Sequence, residues 1–227
     1  MSDDNKKLLK YLAIIFMAEL LIYKLPHDSY SIIEYIIKPI RRGDSVIYLS
    51  SIVPLILIFE GIKGLSRLER SKNKSKVLMF IVVMTILLPI MKWTLDVTRM
   101  SYHWLVDDGL SAVDIVDANV SLHTINDETK MNIRLELKDY GRRKKDFKIR
   151  IYFPKRWEAY FNKEYYELER RYRTYGYGKI KKVEEEIIVK LKDSSRKGLF
   201  DSGWDWESFE YELYNEEESI RIIDHDF

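Results

Sequence analysis

Few side chains in this sequence could carry out catalysis. It contains four histidines and no cysteine. The histidines are His27, His103, His123 and His225, and no two of them have the H-x-x-x-H spacing of a zinc protease. The absence of cysteine excludes disulfides, thiolate metal sites and cysteine nucleophiles. A G-x-S-x-G elbow, a Walker A loop and a G-x-G-x-x-G fingerprint are also missing. We therefore expect no enzymatic activity, no metal and no cofactor.

Acidic residues are plentiful, but their spacing favours solvated surfaces over a site. The segment Asp224-His225-Asp226 holds metal-capable groups, yet neighbouring residues of a strand point to opposite faces. The acidic runs 184–186 and 216–218 could supply a catalytic carboxylate pair only if two of them were held apart in a cleft. We interpret all three as solvated strand ends or faces.

Two groups of residues could recognise a partner. One is a basic run that could meet anionic lipid headgroups or an acidic polymer: Arg142, Arg143, Lys144 and Lys145. The other holds aromatic residues of the kind enriched in recognition sites: Trp204, Trp206, Tyr175 and Tyr177. Ordinary turn solubility and core packing are the alternative interpretations.

Three apolar segments dominate the first half of the chain. They span 8–25, 46–62 and 77–95, and each is close to the minimum of about 17 residues for crossing a bilayer. A core helix of a soluble protein normally keeps a polar stripe, whereas 81–90 has Thr85 as its one polar residue. We therefore predict three transmembrane helices, the first uncleaved because no A-x-A-like site follows it. Pro54 and Pro89 are expected to kink the second and third.

Glu19 is the one carboxylate well inside an apolar segment. An ionisable group at such a depth is a functional candidate unless it is paired. Pairing with Lys24 or with a partner subunit is one hypothesis, and a transport or proton-relay role is the other.

The distribution of Lys and Arg predicts an orientation. The loop between the second and third segments has six of them: Lys63, Arg67, Arg70, Lys72, Lys74 and Lys76. Basic residues in short loops favour the cytoplasmic side. We therefore predict a cell-membrane protein with its N-terminus in the cytoplasm and residues 96–227 outside it. The absence of cysteine favours a bacterial source, since many secreted eukaryotic domains use disulfides.

The C-terminal region differs from the membrane half in both charge and periodicity. Up to Thr94 the chain has 14 basic and 8 acidic residues, and beyond it 24 basic and 28 acidic. A net-acidic domain is a poor partner for nucleic acid. Apolar residues alternate in 132–138 and 147–153, which predicts a hairpin around the turn 139–146. Further strands are predicted at 118–124, 183–192, 206–214 and 219–226, the last two joined as a hairpin.

Six or more short strands predict a mainly β domain over 96–227, an immunoglobulin-like β-sandwich. In 157–175, aromatic and apolar residues recur at helical spacing, which predicts one amphipathic helix. The leading hypothesis is a non-enzymatic integral membrane protein that binds the lipid bilayer and whose outer domain binds a protein or an envelope polymer. The alternative is an accessory subunit of a membrane transporter or channel.

Overall fold

The computed structural model describes residues 3–42, 45–71, 74–106, 109–125, 128–154, 160–161, 163–190, 192 and 209–222. It divides into two compact units. The helical unit comprises residues 1–25 and 30–98, and the β unit comprises residues 26–29 and 99–227. Helix and antiparallel sheet are therefore both major components of the fold.

The helical unit begins with the long helix α1 and ends in a second long helical segment. Its elements are α1 (Asp3–Ile22), α2 (Ile32–Ile36), the hairpin β1 (Ile40–Arg42) and β2 (Ser45–Ile47), α3 (Ile52–Leu65), α4 (Lys76–Val82) and α5 (Leu88–Val106), which continues into the β unit. Single 3-10 turns lie at Leu49–Ser51 and Glu69–Ser71.

Helices α1 and α3 pack closely because α3 has glycine at the contact. A Cβ atom at Gly61 would lie 2.3 Å from Cγ1 of Ile15, and one at Gly64 would lie 2.1 Å from Cδ1 of Tyr11. Ile15 and Ala18 are fully buried in the same cluster as Ile58 and Ile62 of α3, which are each 8% exposed. Small residues that admit a neighbouring backbone are typical of membrane helix pairs.

The helix from Lys76 to Val106 is continuous and is the one described helix that is long and apolar enough to cross a membrane. It has 31 residues, and only 6% of its apolar stretch is buried within the chain. A π-helical turn at Val83–Leu87 ends two residues before Pro89. Proline lacks an N–H and crowds the carbonyl four residues earlier, and a π-turn accommodates that defect.

The other two predicted transmembrane helices are not confirmed. Helix α3 has 14 residues, about 21 Å at 1.5 Å per residue, whereas the predicted segment 46–62 begins with a strand and a 3-10 turn. Helix α1 has 20 residues, but Lys6, Lys7, Lys10 and Glu19 interrupt its apolar composition.

The described residues of the β unit form two antiparallel sheets. The first sheet has the order β3-β4-β8, formed by Val113–Ile125, Glu128–Asp139 and Lys179–Val189. The second has the order β10-β9-β5-β6, formed by Ser219–Ile222, Glu210–Tyr214, Lys145–Tyr152 and Tyr165–Glu167, and a further strand, β7 (Tyr172–Thr174), pairs with β5. A 3-10 turn at Gly109–Ala112 leads into β3.

One hydrophobic core joins the two sheets. Alternate residues of β4 face it, with Met131, Leu135 and Leu137 fully buried. Ile149 and Ile151 of β5 are buried in the same core from the second sheet. The period of two in each strand therefore sends every second side chain into a shared interior.

The predicted hairpin between 132–138 and 147–153 is wrong in its pairing. Both strands exist, but β4 pairs with β3 and β8, and β5 pairs with β6, β7 and β9. Residues 140–144 therefore carry the chain from one sheet to the other. Two amphipathic strands can bury their apolar faces against each other by lying in opposite sheets, so alternation alone does not specify a hairpin. The hairpin predicted for the last two strands is confirmed.

The amphipathic helix predicted for 157–175 is also wrong within the described residues. This region contains β6 and β7, which pair with β5. Of the residues on the predicted apolar face, Phe161, Leu168 and Tyr172 are buried in the core, but they reach it from strands and turns. Tyr165 and Tyr175 of the same predicted face are exposed. The backbones of β6 and β7 pair with β5. This tertiary pairing outweighs the local helical spacing of the side chains.

The immunoglobulin-like part of the fold prediction is not confirmed. In the constant-type immunoglobulin order, strands A, B, E and D form one sheet and C, F and G the other. Here the first, second and sixth strands of the β unit form one sheet, and the third, fourth, fifth, seventh and eighth belong to the other. The strands that the structure describes therefore form two sheets in an order that differs from the immunoglobulin order.

Candidate functional site

A buried carboxylate at the end of β4 organises two turns of the β unit. Asp139 is fully buried. Its Oδ1 accepts hydrogen bonds from the Gly141 N–H and from Lys145 Nζ, both at 2.9 Å, and its Oδ2 accepts one from the Gly176 N–H at 2.9 Å. A buried charge is tolerated when it is paired and hydrogen-bonded. Asp139 therefore fixes the turn 140–144 to the turn 175–178.

Backbone hydrogen bonds hold these two turns close together. The Tyr177 N–H donates to the Gly141 carbonyl at 2.8 Å, and the Gly178 N–H donates to the Asp139 carbonyl at 2.7 Å. A Cβ atom at Gly176 would lie 2.5 Å from the Gly141 carbonyl oxygen. Only glycine at position 176 permits this approach.

Tyr177 has a left-handed backbone. Its φ of 58° lies between φ values of 72° at Gly176 and 69° at Gly178. This conformation is disfavoured for a tyrosine by roughly 1–2 kcal/mol. The strained turn projects the Tyr177 ring outward with 62% of its surface exposed, and Tyr175 is 50% exposed. Strain of this kind concentrates at functional positions.

Basic and aromatic side chains lie beside these tyrosines. Arg142 lies over the ring of Trp104, with 5.6 Å from its guanidinium carbon to the ring centroid. Trp104 is 46% exposed, and Arg143 and Lys144 are exposed on the same turn. We call the following set the turn-pair patch: Trp104, Arg142, Arg143, Lys144, Tyr175 and Tyr177.

The structure brings together some of the residues predicted to form a recognition surface and separates others. Arg142, Arg143 and Lys144 are brought next to Tyr175 and Tyr177 by the turn contacts above. Lys145 does not lie at this surface, since it is buried against Asp139. Trp204 and Trp206 lie outside the described residues, as does Asp224-His225-Asp226.

Sequence reasoning missed Trp104 and Asp139. Trp104 follows the third apolar segment and carries the interfacial aromatic signal. Asp139-Tyr140-Gly141 has the composition of an Asx turn, which could have pointed to the hydrogen bond from Gly141 to Asp139.

A second polar cluster joins the loop 26–29 to the start of β3. Arg99 pairs with Asp114 at 2.8 Å, both about 10% exposed. The His27 N–H donates to Asp114 Oδ1 at 3.2 Å, and His27 Nε2 lies 2.9 Å from the Val113 carbonyl. Burial lowers the pKa of His27, so the neutral ring donates its Nε2 proton to that carbonyl, which can only accept. Arg99 also lies 4.1 Å from the Tyr140 ring centroid. These contacts stabilise the fold beside the turn 140–144.

The outer face of the second sheet carries a connected charge network. Arg150 bonds Glu167 at 3.3 Å and Glu212 at 3.1 Å, and it lies 3.9 Å from the Tyr214 ring centroid. Lys148 bonds Glu167 at 2.8 Å. Hydrogen bonds from Lys148, Tyr214 and Arg150 lower the pKa of Glu167 to about 2. Each charge is paired across strands, so the network stabilises the sheet.

The acidic run of β8 is also used in cross-strand pairing. Glu184 pairs with Arg134 at 3.4 Å, Glu185 accepts from the Tyr172 hydroxyl at 3.1 Å, and Glu186 pairs with Lys130 at 2.6 Å. Among the described residues, no three His, Asp or Glu side chains form a group that could hold a metal ion.

Glu19 lies on the packed side of α1. It is only 6% exposed. This residue belongs to the helical unit.

Searches with the whole sequence and structure return no match to a protein-family model, to a curated protein or to a solved structure.

Proposed function

We propose that the chain is an integral membrane protein whose helical unit lies in a bilayer. The support is the outward placement of its apolar side chains. Leu55, Ile56 and Phe59 of α3 are each more than half exposed, and Leu78, Ile86 and Ile90 of the long helix are as well. Contiguous exposed apolar surface of this extent marks contact with another protein or with lipid. A helix that is 6% buried over its apolar stretch is unlike the core helix of a soluble protein.

Three crossings remain our proposal for this unit. Helix α1 is long enough to span, and the segment formed by the 3-10 turn and α3 covers 17 consecutive residues, from 49 to 65. A short span is accommodated by local thinning of the bilayer. The charge distribution supports a cytoplasmic N-terminus, a cytoplasmic segment 63–76 and a β unit outside the cytoplasm.

We propose that the β unit is a non-enzymatic recognition domain with a β-sandwich architecture. The observation that carries this proposal is the turn-pair patch. Asp139 holds its two turns rigidly, and the strained backbone at Tyr177 presents an aromatic ring to solvent. A rigid Tyr, Trp and Arg surface loses little conformational entropy on binding.

The patch fits a protein or an acidic envelope polymer as partner. Arg142, Arg143 and Lys144 supply positive charge, while Tyr177 and Trp104 supply flat apolar area. A nucleic acid is a poor alternative because the rest of the domain is net acidic.

The test compares two variants of the full chain during purification in a mild detergent. Tyr177→Gly removes the ring while suiting the left-handed backbone, so the turn is preserved. Ile188→Ser removes another exposed apolar side chain, 57% exposed on β8 and outside the patch. We expect a stoichiometric partner to co-purify with the wild type and with Ile188→Ser and to be reduced at least tenfold with Tyr177→Gly. Equal recovery with all three would contradict a role for the patch.

A second function, that of an accessory subunit of a transporter or channel, is favoured by Glu19. A nearly buried carboxylate within the helical unit is the feature such a role would use. Glu19→Gln should then abolish transport by the assembled complex and leave the amount of assembled complex unchanged. Full transport with Glu19→Gln would show that Glu19 has a structural role and no role in transport.

A further inference from the structure

The groove between α3 and α4 combines an apolar wall with a basic rim. It encloses about 620 Å³ and lies wholly within the helical unit. Its apolar lining is formed by Phe59, Ile62, Val77 and Phe80. Its polar lining is formed by Glu60, Lys63, Ser66, Arg67 and Lys76. Cavities of this size hold small molecules.

The apolar wall is open and flat. The rings of Phe59 and Phe80 are stacked, with centroids 6.3 Å apart and planes 21° from parallel. Phe59 is 52% exposed, Phe80 40% and Val77 68%. The two helices therefore form a surface that can accept a hydrocarbon chain along its length.

The rim carries a net positive charge. Lys63 pairs with Glu60 at 2.8 Å, which neutralises both. Arg67 and Lys76 remain, and neither forms an ion pair with a carboxylate in the described parts of the chain. Two cations at the end of an apolar groove are complementary to a molecule with one anionic head and one apolar tail.

We infer that this groove binds an anionic phospholipid. Its phosphodiester lies between Arg67 and Lys76, and an acyl chain lies against Phe59 and Phe80. A free phosphate would leave the apolar wall uncovered. A zwitterionic lipid would bring its own cation to a rim that is already positive. The inference rests on the membrane location proposed above, and basic pockets between helices on the cytoplasmic side suit such headgroups.

The test is native mass spectrometry of the full chain in detergent, with phosphatidylglycerol and phosphatidylcholine of identical acyl chains as probes. The variant Arg67→Gln/Lys76→Gln removes both rim cations, which are exposed. The control Lys7→Gln/Lys74→Gln removes the same charge from residues of the same unit that do not line the groove.

We expect the wild type and the control to prefer phosphatidylglycerol. Each cation near a headgroup contributes about fivefold, so the rim variant should lose roughly 25-fold of this preference. Phe80→Ala should reduce the occupancy of phosphatidylglycerol, because the contact with the acyl chain is lost. Inorganic phosphate should not compete with the lipid, because a free phosphate has no acyl chain to make that contact.

Two results would overturn the lipid site. One is equal binding of both lipids to the wild type, and the other is an equal loss of preference in the rim variant and the control. Resistance of the chain to alkaline carbonate extraction is measured on the same membranes. A chain that resists extraction but shows no lipid preference refutes the lipid site alone, whereas a chain released by carbonate refutes the membrane location.

Discussion

The two units of this chain place their apolar residues in opposite ways. In the described part of the β unit, 19 buried apolar residues form one core between two sheets, and the outer faces carry paired charges such as Arg150 with Glu212. Among the described residues of the helical unit, the buried cluster has eight members, and Ile56, Phe59, Ile86 and many others point outward. A fold exposes such surface when its surroundings are apolar or when a partner covers it.

The units also differ in how they use polar groups. The β unit buries Asp139 with Lys145 and pairs Arg99 with Asp114, so its interior charges are compensated. The helical unit packs by close approach at Gly61 and Gly64. Burial and ion pairing stabilise the β unit, and helix packing stabilises the helical unit. Each difference can be tested by a substitution in one unit and a matched control.

The largest effect is expected from Asp139→Ala. The substitution leaves the Lys145 ammonium buried without its carboxylate and removes the acceptor for two glycine N–H groups. Breaking one partner of a buried ion pair costs about 3–5 kcal/mol. We expect a loss of that size in the free energy of unfolding of the full chain in detergent, measured by near-ultraviolet circular dichroism in a urea titration.

Asp117→Ala is the matched control for this substitution, because Asp117 is an exposed residue of the same domain. It should change the free energy of unfolding by about 0.5 kcal/mol or less. Similar losses for the two variants would show that the turns do not depend on Asp139.

A smaller effect is expected in the helical unit from Gly61→Ala. The added methyl group would lie 2.3 Å from Cγ1 of the fully buried Ile15, so one of the two must shift. Overpacking of this kind costs about 1–3 kcal/mol. The thermal unfolding midpoint of the full chain, followed by helical circular dichroism in detergent, should fall. Ala13→Leu adds more bulk on the exposed side of α1 and should leave the midpoint unchanged; a larger decrease for Ala13→Leu would mean that this face of α1 is packed against protein.

The smallest effect concerns the pH dependence of the charge network. The pKa of Glu167 is lowered from 4.5 to about 2 by hydrogen bonds from Lys148, Tyr214 and Arg150. A lowered pKa stabilises the folded state above pH 4.5, and this stabilisation is lost as the pH falls from 4.5 towards 2. Because Glu167 is 32% exposed, solvent screening reduces the contribution to about 1 kcal/mol.

Urea unfolding at pH 6 and at pH 2.5 measures this contribution. The stability difference between wild type and Glu167→Gln should be present at pH 6 and mostly lost at pH 2.5, where the folded-state carboxylate is still partly ionised. The control Glu169→Gln, at an exposed neighbour, should match the wild type at both pH values. A Glu167→Gln difference that is undiminished at pH 2.5 would mean that shape, not charge, accounts for its effect.

The sequence predicted local structure better than long-range pairing. Alternation at 132–138 and 147–153 identified both strands and their buried residues, because the period of two is a local property. It could not assign them to different sheets, since pairing partners lie far apart in the chain. The spacing in 157–175 matched a helix, but Tyr172 and Leu168 are buried from extended segments paired with β5.

The candidate site was only partly predictable for the same reason. The types of Arg142 and Tyr177 indicated recognition, but the hydrogen bond from Gly176 to Asp139 that joins their turns links residues 37 positions apart. Burial of Lys145 depends on that same carboxylate. In the helical unit, the apolar segments could be located from composition, whereas the π-turn before Pro89 and the late start of α3 depend on local geometry.

The central claim is that the helical unit crosses a membrane and places the β unit on its outer side. Because the chain has no cysteine, single cysteines can be labelled on bacterial spheroplasts with a membrane-impermeant maleimide. We compare Arg143→Cys, in the turn-pair patch, with Lys74→Cys, in the basic loop between α3 and α4. The account predicts that Arg143→Cys is labelled on intact spheroplasts and that Lys74→Cys is labelled only after lysis. Labelling of Lys74→Cys but not Arg143→Cys on intact spheroplasts, or of neither before lysis, would contradict it.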